Sequence, residues 1–124
     1  MYVSYRLYVR FSESFALNKR NLDVNHLMID PKAQRRGIGK LLLGAVTALS
    51  DREKIPTILC SSREARGLYS QMAFKSVQTW TIDNEYWARE IERHEHWNHD
   101  LSLAVTFQGC SEEEIYMVRD PPAD

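Results

Sequence analysis

The chain has 124 residues, 44% of them hydrophobic and 27% charged, with a formal net charge of −1. This length builds one continuous hydrophobic core and not two, so residues 1–124 read as a single domain, and the composition excludes disordered, collagenous and membrane-embedded chains. The near-zero net charge excludes the broad basic footprint of a nucleic-acid binder, so an anion site must be local.

Residues 1–11 alternate, with Val3, Tyr5, Leu7, Val9 and Phe11 on one side. The pattern suits a strand, although the aromatics on the other side leave a helix open. Met1 to Arg20 mixes Arg and Ser into its apolar residues, which argues against a secretory signal, and no later stretch approaches the ~20 apolar residues of a spanning helix. The two cysteines, Cys60 and Cys110, read as free thiols of a reducing compartment. A soluble cytoplasmic protein with no membrane partner is therefore expected, with Cys60 as a small buried side chain.

Ser12 to Arg20 reads as a polar connection or a short helical piece, and Leu22 to Ile29 as a strand. Asp30-Pro31 ends that strand, because proline has no amide hydrogen and biases the preceding residue toward extended or turn geometry. Ile38, Leu41, Leu42, Ala45, Val46 and Leu49 then recur at the three- and four-residue spacings of one buried helix face. This helix fades near Glu53-Lys54, ahead of Pro56, and the run Thr57-Ile58-Leu59-Cys60 suits a buried strand. Strand, helix, strand forms a parallel crossover unit.

Ser61 or Ser62 can cap a second helix through Glu64, Ala65, Leu68, Tyr69 and Met72, and Phe74 to Ile82 returns to a strand pattern. Glu85 to Asp100 reads as an amphipathic helix burying Tyr86 or Trp87, Ile91 and Trp97. Leu101 to Phe107 and Ile115 to Val118 are strand candidates around the loop Gln108 to Ser111, and Pro121-Pro122 marks a frayed end.

Chemistry concentrates in Gln34-Arg35-Arg36-Gly37-Ile38-Gly39. Two glycines between a strand and a helix let main-chain amides approach a ligand without a Cβ in the way. Unpaired amides at the helix start, reinforced by the helix dipole, form an anion site that suits a pyrophosphate, and Arg35 and Arg36 add charge-assisted contacts. A nucleotide-hydrolase phosphate loop needs glycine at 34 and Ser or Thr at 41, where Gln34 and Leu41 stand. A dinucleotide fingerprint needs a small residue at 42, where Leu42 stands.

At these residues the sequence resembles the GNAT superfamily of acyl-CoA-dependent N-acetyltransferases. The central motif of that family is Gln or Arg, two variable residues, Gly, a variable residue, then Gly or Ala, and the match is complete. Gly67-Leu68-Tyr69-Ser70-Gln71-Met72-Ala73-Phe74 is similar to a second family signature, with alanine in place of its glycine. The resemblance covers about residues 22–82. It implies an α/β fold with a mixed sheet and a central strand-helix-strand unit that binds acetyl-CoA. By position, the backbone of Leu27, Met28 and Ile29 would bond the pantetheine arm, and the turn from Gln34 through Arg35, Arg36, Gly37, Ile38, Gly39 and Lys40 would hold the pyrophosphate. Tyr69 corresponds to the family's candidate general acid for the departing thiolate. Ser62 falls where many members place an Asn that contacts CoA.

The reaction implied is attack of a neutral amine, on a small molecule or a protein, on the acetyl thioester. That step needs a general base, because an alkylamine is mostly protonated at neutral pH. His26, Asp23 and Asp83 are its candidates. Family members place a strand, two helices and two strands before the cofactor-binding strand, whereas about twenty residues precede it here. The resemblance therefore implies an N-terminally truncated domain, completed by a homodimer or a partner chain, with a non-catalytic CoA-binding or interaction module as the alternative. His94, His96 and His99 miss the His-Glu-x-x-His spacing, and no metal site is expected.

Overall fold

The computed structural model describes residues 5–14, 19–94 and 102–123. Five strands form one mixed sheet in the order β1-β2-β3-β5-β4. Strand β1 (Tyr5–Ser14) and strand β2 (Lys19–Ile29) make an antiparallel pair. Both strands therefore run into the segment read as a connection, and residues 15–18 lie outside the described set. The polar residues there belong to ladder positions: Ser12 faces Asn21, and its hydroxyl donates to the Asn21 side chain at 2.9 Å. Such residues look like loop in a sequence, yet a two-stranded rim with one solvated side accepts them.

The pairing of β1 with β2 is continuous except at one point. Tyr8 faces His26 while Val9 faces Val24, so Asn25 is an extra residue on β2, a β-bulge. A bulge bends its strand and increases the local twist. Beyond it, β2 keeps its ladder with β1 as far as Ile29.

A single 3-10 turn, Pro31–Ala33, follows β2, and helix α1 spans Ile38–Arg52. Its buried positions are Leu43, Val46, Thr47 and Ser50, while Leu41 is 75% exposed and Ala45 is exposed. The apolar face is thus rotated by about one residue from the predicted one. Two apolar rows lie side by side on this helix, and the buried one runs through Leu43, Val46, Thr47 and Ser50. The helix stops as expected, with Glu53 at the C-cap and Lys54 at φ 55°.

Strand β3 (Thr57–Ser61) runs parallel to β2 and antiparallel to β5 (Ser111–Arg119). Helix α2 covers Arg66–Gln71, and β4 (Lys75–Asp83) pairs with β5 at the rim. The core consists of Leu22 and Val24 from β2, Leu59 from β3, Ile115 and Met117 from β5, Leu43, Val46, Tyr69 and Phe74 from the helical side, and Ile55 between α1 and β3. Arg119 donates to both carboxylate oxygens of Asp51, at 2.6 and 3.0 Å, and so clamps the end of β5 to the last turn of α1.

The tail departs furthest from the sequence reading. Helix α3 (Asn84–His94) forms, but its buried residue is Ala88, and Tyr86, Trp87 and Ile91 are exposed. Trp97 lies outside the described residues. The predicted strand at Leu101–Phe107 is a short helix, α4 (Leu103–Thr106). The carboxylate of Glu92 on α3 accepts from the Ser102 hydroxyl and the Ala104 amide, which fixes the start of α4 against α3. Cys60, expected to be buried, is exposed, because it sits on the sheet face opposite α1.

Candidate functional site

Strands β2 and β3 are paired only through Leu22–Thr57, Asp23–Ile58 and Val24–Leu59. Past that point β2 carries the Asn25 bulge and turns away, while β3 continues to Ser61 against β5. A wedge-shaped gap opens between them. In an antiparallel ladder only alternate residues bond to a given neighbour, so peptide groups of β2 between Asn25 and Ile29 that do not bond to β1 point into this gap. Leu27, Met28 and Ile29 lie on that stretch, with Leu27 half-buried on the core side and Met28 59% exposed on the other face.

The wide end of the gap leads to the turn. The Asp30 carboxylate accepts from the Lys32 amide at 2.8 Å and caps the 3-10 turn, whose first residue is Pro31. Gln34 donates from Nε2 to the Ile29 carbonyl at 3.1 Å, which ties the turn back to the end of β2. This bond gives the glutamine of the motif a mechanical role: it sets where the following amides point. Arg35 and Gly37 both take left-handed backbone angles, φ 65° and 78°. At Gly37 the absence of a Cβ removes the strain that an L-residue meets there.

The first backbone bond of α1 runs from the Leu41 amide to the Gly37 carbonyl at 3.0 Å. The amides of Ile38, Gly39 and Lys40 precede it and are left for another acceptor. The first turn of α1 holds no acidic residue, and Arg35, Arg36 and Lys40 are exposed, with no ion pair among the described residues. Free amides and the positive end of the helix dipole therefore coincide at this turn, and three cationic residues lie on or beside it in sequence, the combination that favours a phosphate group.

Gly39 serves a different purpose from Gly37. A Cβ built there would lie 3.4 Å from Cδ2 of Leu68 on α2, so the start of α1 packs closely against α2. Tyr69 follows Leu68, but its ring turns into the core, 7% exposed, with an edge contact to Phe74 at 5.8 Å. Burial raises the pKa of its phenol above the ordinary value, and the hydroxyl has no hydrogen-bond partner among the described residues. A buried, uncharged phenol remains a proton donor at neutral pH. Ser62 is exposed at the end of β3, where its Oγ accepts from the Ala65 amide at 3.3 Å and stabilises the turn into α2.

Of the candidate bases, Asp23 and His26 flank the bulge on the face opposite α1, and Arg10 donates to Asp23 at 3.4 Å. Asp83 lies at the end of the rim strand β4, where its carboxylate accepts from the Tyr86 amide and caps α3. Among the described residues no cluster of three His, Cys, Asp or Glu side chains is placed to hold a metal ion, and no helix is long and apolar enough to cross a membrane. His96 and His99 are outside the described set.

A family model for the acetyltransferase (GNAT) domain matches residues 12–93, well over half of the chain. The chain belongs to the GNAT family. The matched stretch of this GNAT domain contains the gap, the turn and α2, and it extends past the 22–82 core on both sides. No curated protein matches the sequence. Among solved structures, a chain of the NatC complex bound to Gag peptide and CoA aligns with a TM-score of 0.64 at 13% identity, covering 96% of this chain and 62% of that one. Arabidopsis thaliana Naa50, solved with the bisubstrate analogue CoA-Ac-MVNAL, aligns at 0.60 and 14%, over 94% and 65%. Chaetomium thermophilum Naa20, in complex with a bisubstrate analogue, aligns at 0.61 and 17%, over 93% and 58%. The GNAT domain here thus spans less than two thirds of the length of each of these structural relatives.

Proposed function

We propose that this chain binds acetyl-CoA in the β2–β3 gap and transfers its acetyl group to an amine acceptor. The observation that carries this reading is the continuity of the gap with the turn. The peptide groups of β2 that face away from β1, the left-handed Gly37 and the unbonded amides at the start of α1 lie in sequence along one path. A linear cofactor with an amide-rich arm and a pyrophosphate matches that order of groups, and three of the structural relatives named above were solved with CoA or a bisubstrate analogue.

In this reading Leu27, Met28 and Ile29 offer main-chain groups to the pantetheine arm, and Gly37 to Lys40 offer amides to the pyrophosphate. Gln34 holds the turn in place, and Arg35, Arg36 and Lys40 supply positive charge. Ser62 contributes through the loop it caps more than through a free hydroxyl. Tyr69 protonates the departing thiolate, and the base is Asp23 or His26, since Asp83 is engaged at the far rim. The neutral amine attacks the thioester carbon, the thiolate leaves, and the amine proton passes to the base.

A CoA-binding module without turnover is the second reading, favoured by the packing of Tyr69 into the core. The NatC relative was solved as a complex, and in this reading a partner subunit or second copy completes the acceptor side of this chain. We place the protein in the cytosol. Thermal shift with CoA, acetyl-CoA, ATP and NAD, followed by thiol release over an amine panel, tests the proposal. Equal shifts with all four ligands refute the cofactor site, and a CoA-specific shift without thiol release supports the second reading.

A further inference from the structure

The two outermost strands of the sheet, β1 and β4, differ in how they end it. Among the described residues no strand pairs with the outer side of either one. An open edge presents a row of unpaired amides and carbonyls, which folded proteins blunt with a bulge, a proline, a lysine or a charge that points inward. Strand β4 carries two of these devices. Val77 is bulged out, between Ser76 opposite Met117 and Gln78 opposite Tyr116, and Lys75 begins the strand. Strand β1 holds neither proline nor lysine. The irregularity in its ladder belongs to Asn25 on β2, so β1 itself stays regular. From Arg6 to Ser12 no charge occupies a helix-side position: Leu7, Val9 and Phe11 stand opposite Leu27, Val24 and Leu22, and Arg6 and Arg10 belong to the other face with Tyr8.

The residues of this unguarded edge select what fits it. On the helix side Leu7 and Val9 pack against the core, while Phe11 remains 44% exposed even with the Arg20 guanidinium over its ring. The apolar row thus reaches the rim and ends in solvent. A strand that extends it has to offer apolar residues at the same alternate positions and keep cations away from Arg6 and Arg10 on the other face. Strand β1 of a second copy does both when it runs antiparallel with Val9 opposite Val9. Leu7 then faces the partner's Phe11, Arg6 the partner's Ser12 and Tyr8 the partner's Arg10, each pair occurring twice. The neighbouring registers fail. Centred on Tyr8, the pairing sets Arg6 against Arg10, and centred on Arg10 it sets that arginine against itself. A residue opposite itself also satisfies the antiparallel ladder, in which residues that point their peptide groups outward face residues that do the same.

We propose that β1 pairs edge to edge with β1 of a second copy, about a two-fold axis that crosses the sheet at Val9. The two sheets become one continuous sheet, with α1 of both copies on the same face. A two-fold contact has to be self-complementary, since the same patch serves on both sides, and the Val9 register meets that condition. The ladder from Arg6 to Ser12 spans about 24 Å. Because the contact runs along an edge, it covers neither face of the sheet. The β2–β3 gap, Asp23 and His26 stay open, and Arg10 keeps its bond to Asp23. The inference concerns assembly, and it stands whether or not the chain turns over acetyl-CoA.

Sedimentation of the full chain over a wide concentration series gives the first test, with a dimer expected. Tyr8 is 56% exposed, so its replacement spares the fold. Tyr8→Arg sets a cation against the partner's Arg10 twice and should weaken the dimer by roughly 5-fold, whereas Tyr8→Glu should leave it as tight or tighter. The second test reads the register, in a chain that also carries Cys60→Ser and Cys110→Ser. Val9→Cys places two thiols opposite each other with Cα atoms about 4.5–5.5 Å apart, within disulfide reach, and oxidised glutathione should link the copies on a non-reducing gel. Tyr8→Cys puts the two Cα atoms on the order of 8 Å apart, past the ~7 Å limit, and should stay unlinked. A wild-type monomer at every concentration overturns the proposal. So does a dimer that Tyr8→Arg and Tyr8→Glu affect alike, or one that Val9→Cys fails to link.

Discussion

Replacing Gly37 with alanine separates two contributions of the turn. The position sits at φ 78° with no heavy atom within 4 Å of where a Cβ would stand. The added methyl meets no steric clash with a neighbour, so the cost to the fold is the left-handed backbone itself, about 1–2 kcal/mol. For a domain of this size each kcal/mol moves the melting temperature by roughly 3–6 °C. A drop of about 3–12 °C without ligand is therefore expected. The open space beside Gly37 is also where the phosphates would lie, and a methyl there keeps them from the amides. Wild-type protein at a ligand concentration of about 100 Kd gains ~2.7 kcal/mol, a rise of roughly 8–16 °C, and the variant should lose nearly all of it. Gly39→Ala is the control. Its methyl meets only the flexible end of Leu68 at 3.4 Å, and alanine suits a helix better than glycine by roughly 0.5–1 kcal/mol, so its ligand-free melting point should equal or exceed wild type, by up to about 6 °C. Differential scanning fluorimetry with and without CoA measures all six values. An unchanged melting temperature for Gly37→Ala refutes the strain estimate, and a full CoA response in that variant refutes the assignment of the turn.

Tyr69→Phe keeps the ring and its contact with Phe74 while removing a hydroxyl that has no partner among the described residues. Stability should change little and kcat should fall by about 10²-fold if the phenol is the acid; equal turnover removes it from the mechanism. Thr57 Oγ1 is a buried hydroxyl without a partner among the described residues, so Thr57→Val should be neutral or stabilise by about 1 kcal/mol, and a clear loss in a urea melt would show that the hydroxyl is bonded. The Arg119 hydrogen bond holds Asp51 below the usual carboxylate range. The folded pKa is thus the lower one, and the stability it adds is present above the unfolded value near ~3.9 and lost as pH falls through the folded value. Asp51 is one-third exposed, which keeps the contribution below ~1 kcal/mol. Arg119→Met should lower the melting temperature at neutral pH, the gap to wild type narrowing in acid, and a gap that widens in acid contradicts the pairing.

The central unit was legible because several local signals coincide there. The apolar run of β2, the Asp30-Pro31 stop, the two glycines, the helical spacing after them and Pro56 all agree, and the family match overlies them. Within that unit the buried face of α1 was off by one row, since Leu42 and Leu43 are equally apolar and only the contact with the sheet chooses between them. Burial in the tail depends on tertiary partners. Tyr86, Trp87 and Ile91 have core-like side chains, yet the inward side of α3 carries Ala88 and the carboxylate of Glu92, which bonds α4. The segment at 101–107 has strand-like residues, but Ser102 Oγ and Glu92 supply helix-start acceptors that no local pattern announces. Asp23 and His26 were candidate bases in the sequence alongside Asp83, but the bulge between them was not readable, because Asn25 fits the strand pattern as well as its neighbours do.

That bulge gives the protein a frame dependence. A strand alternates its side chains between faces, so a change of one residue inverts everything beyond it. Asn25 stands outside the alternation as the bulged residue, so Leu27 remains on the core side with Leu22 and Val24. Deleting Asn25 would leave Leu27 and Ile29 on their proper faces relative to β1 while straightening β2 along β3. The sheet would gain ladder bonds and lose its opening, so the regular, better-paired chain is the one with no room for a cofactor. Selection for stability alone would close this gap with a single codon, and its persistence would record a requirement other than folding.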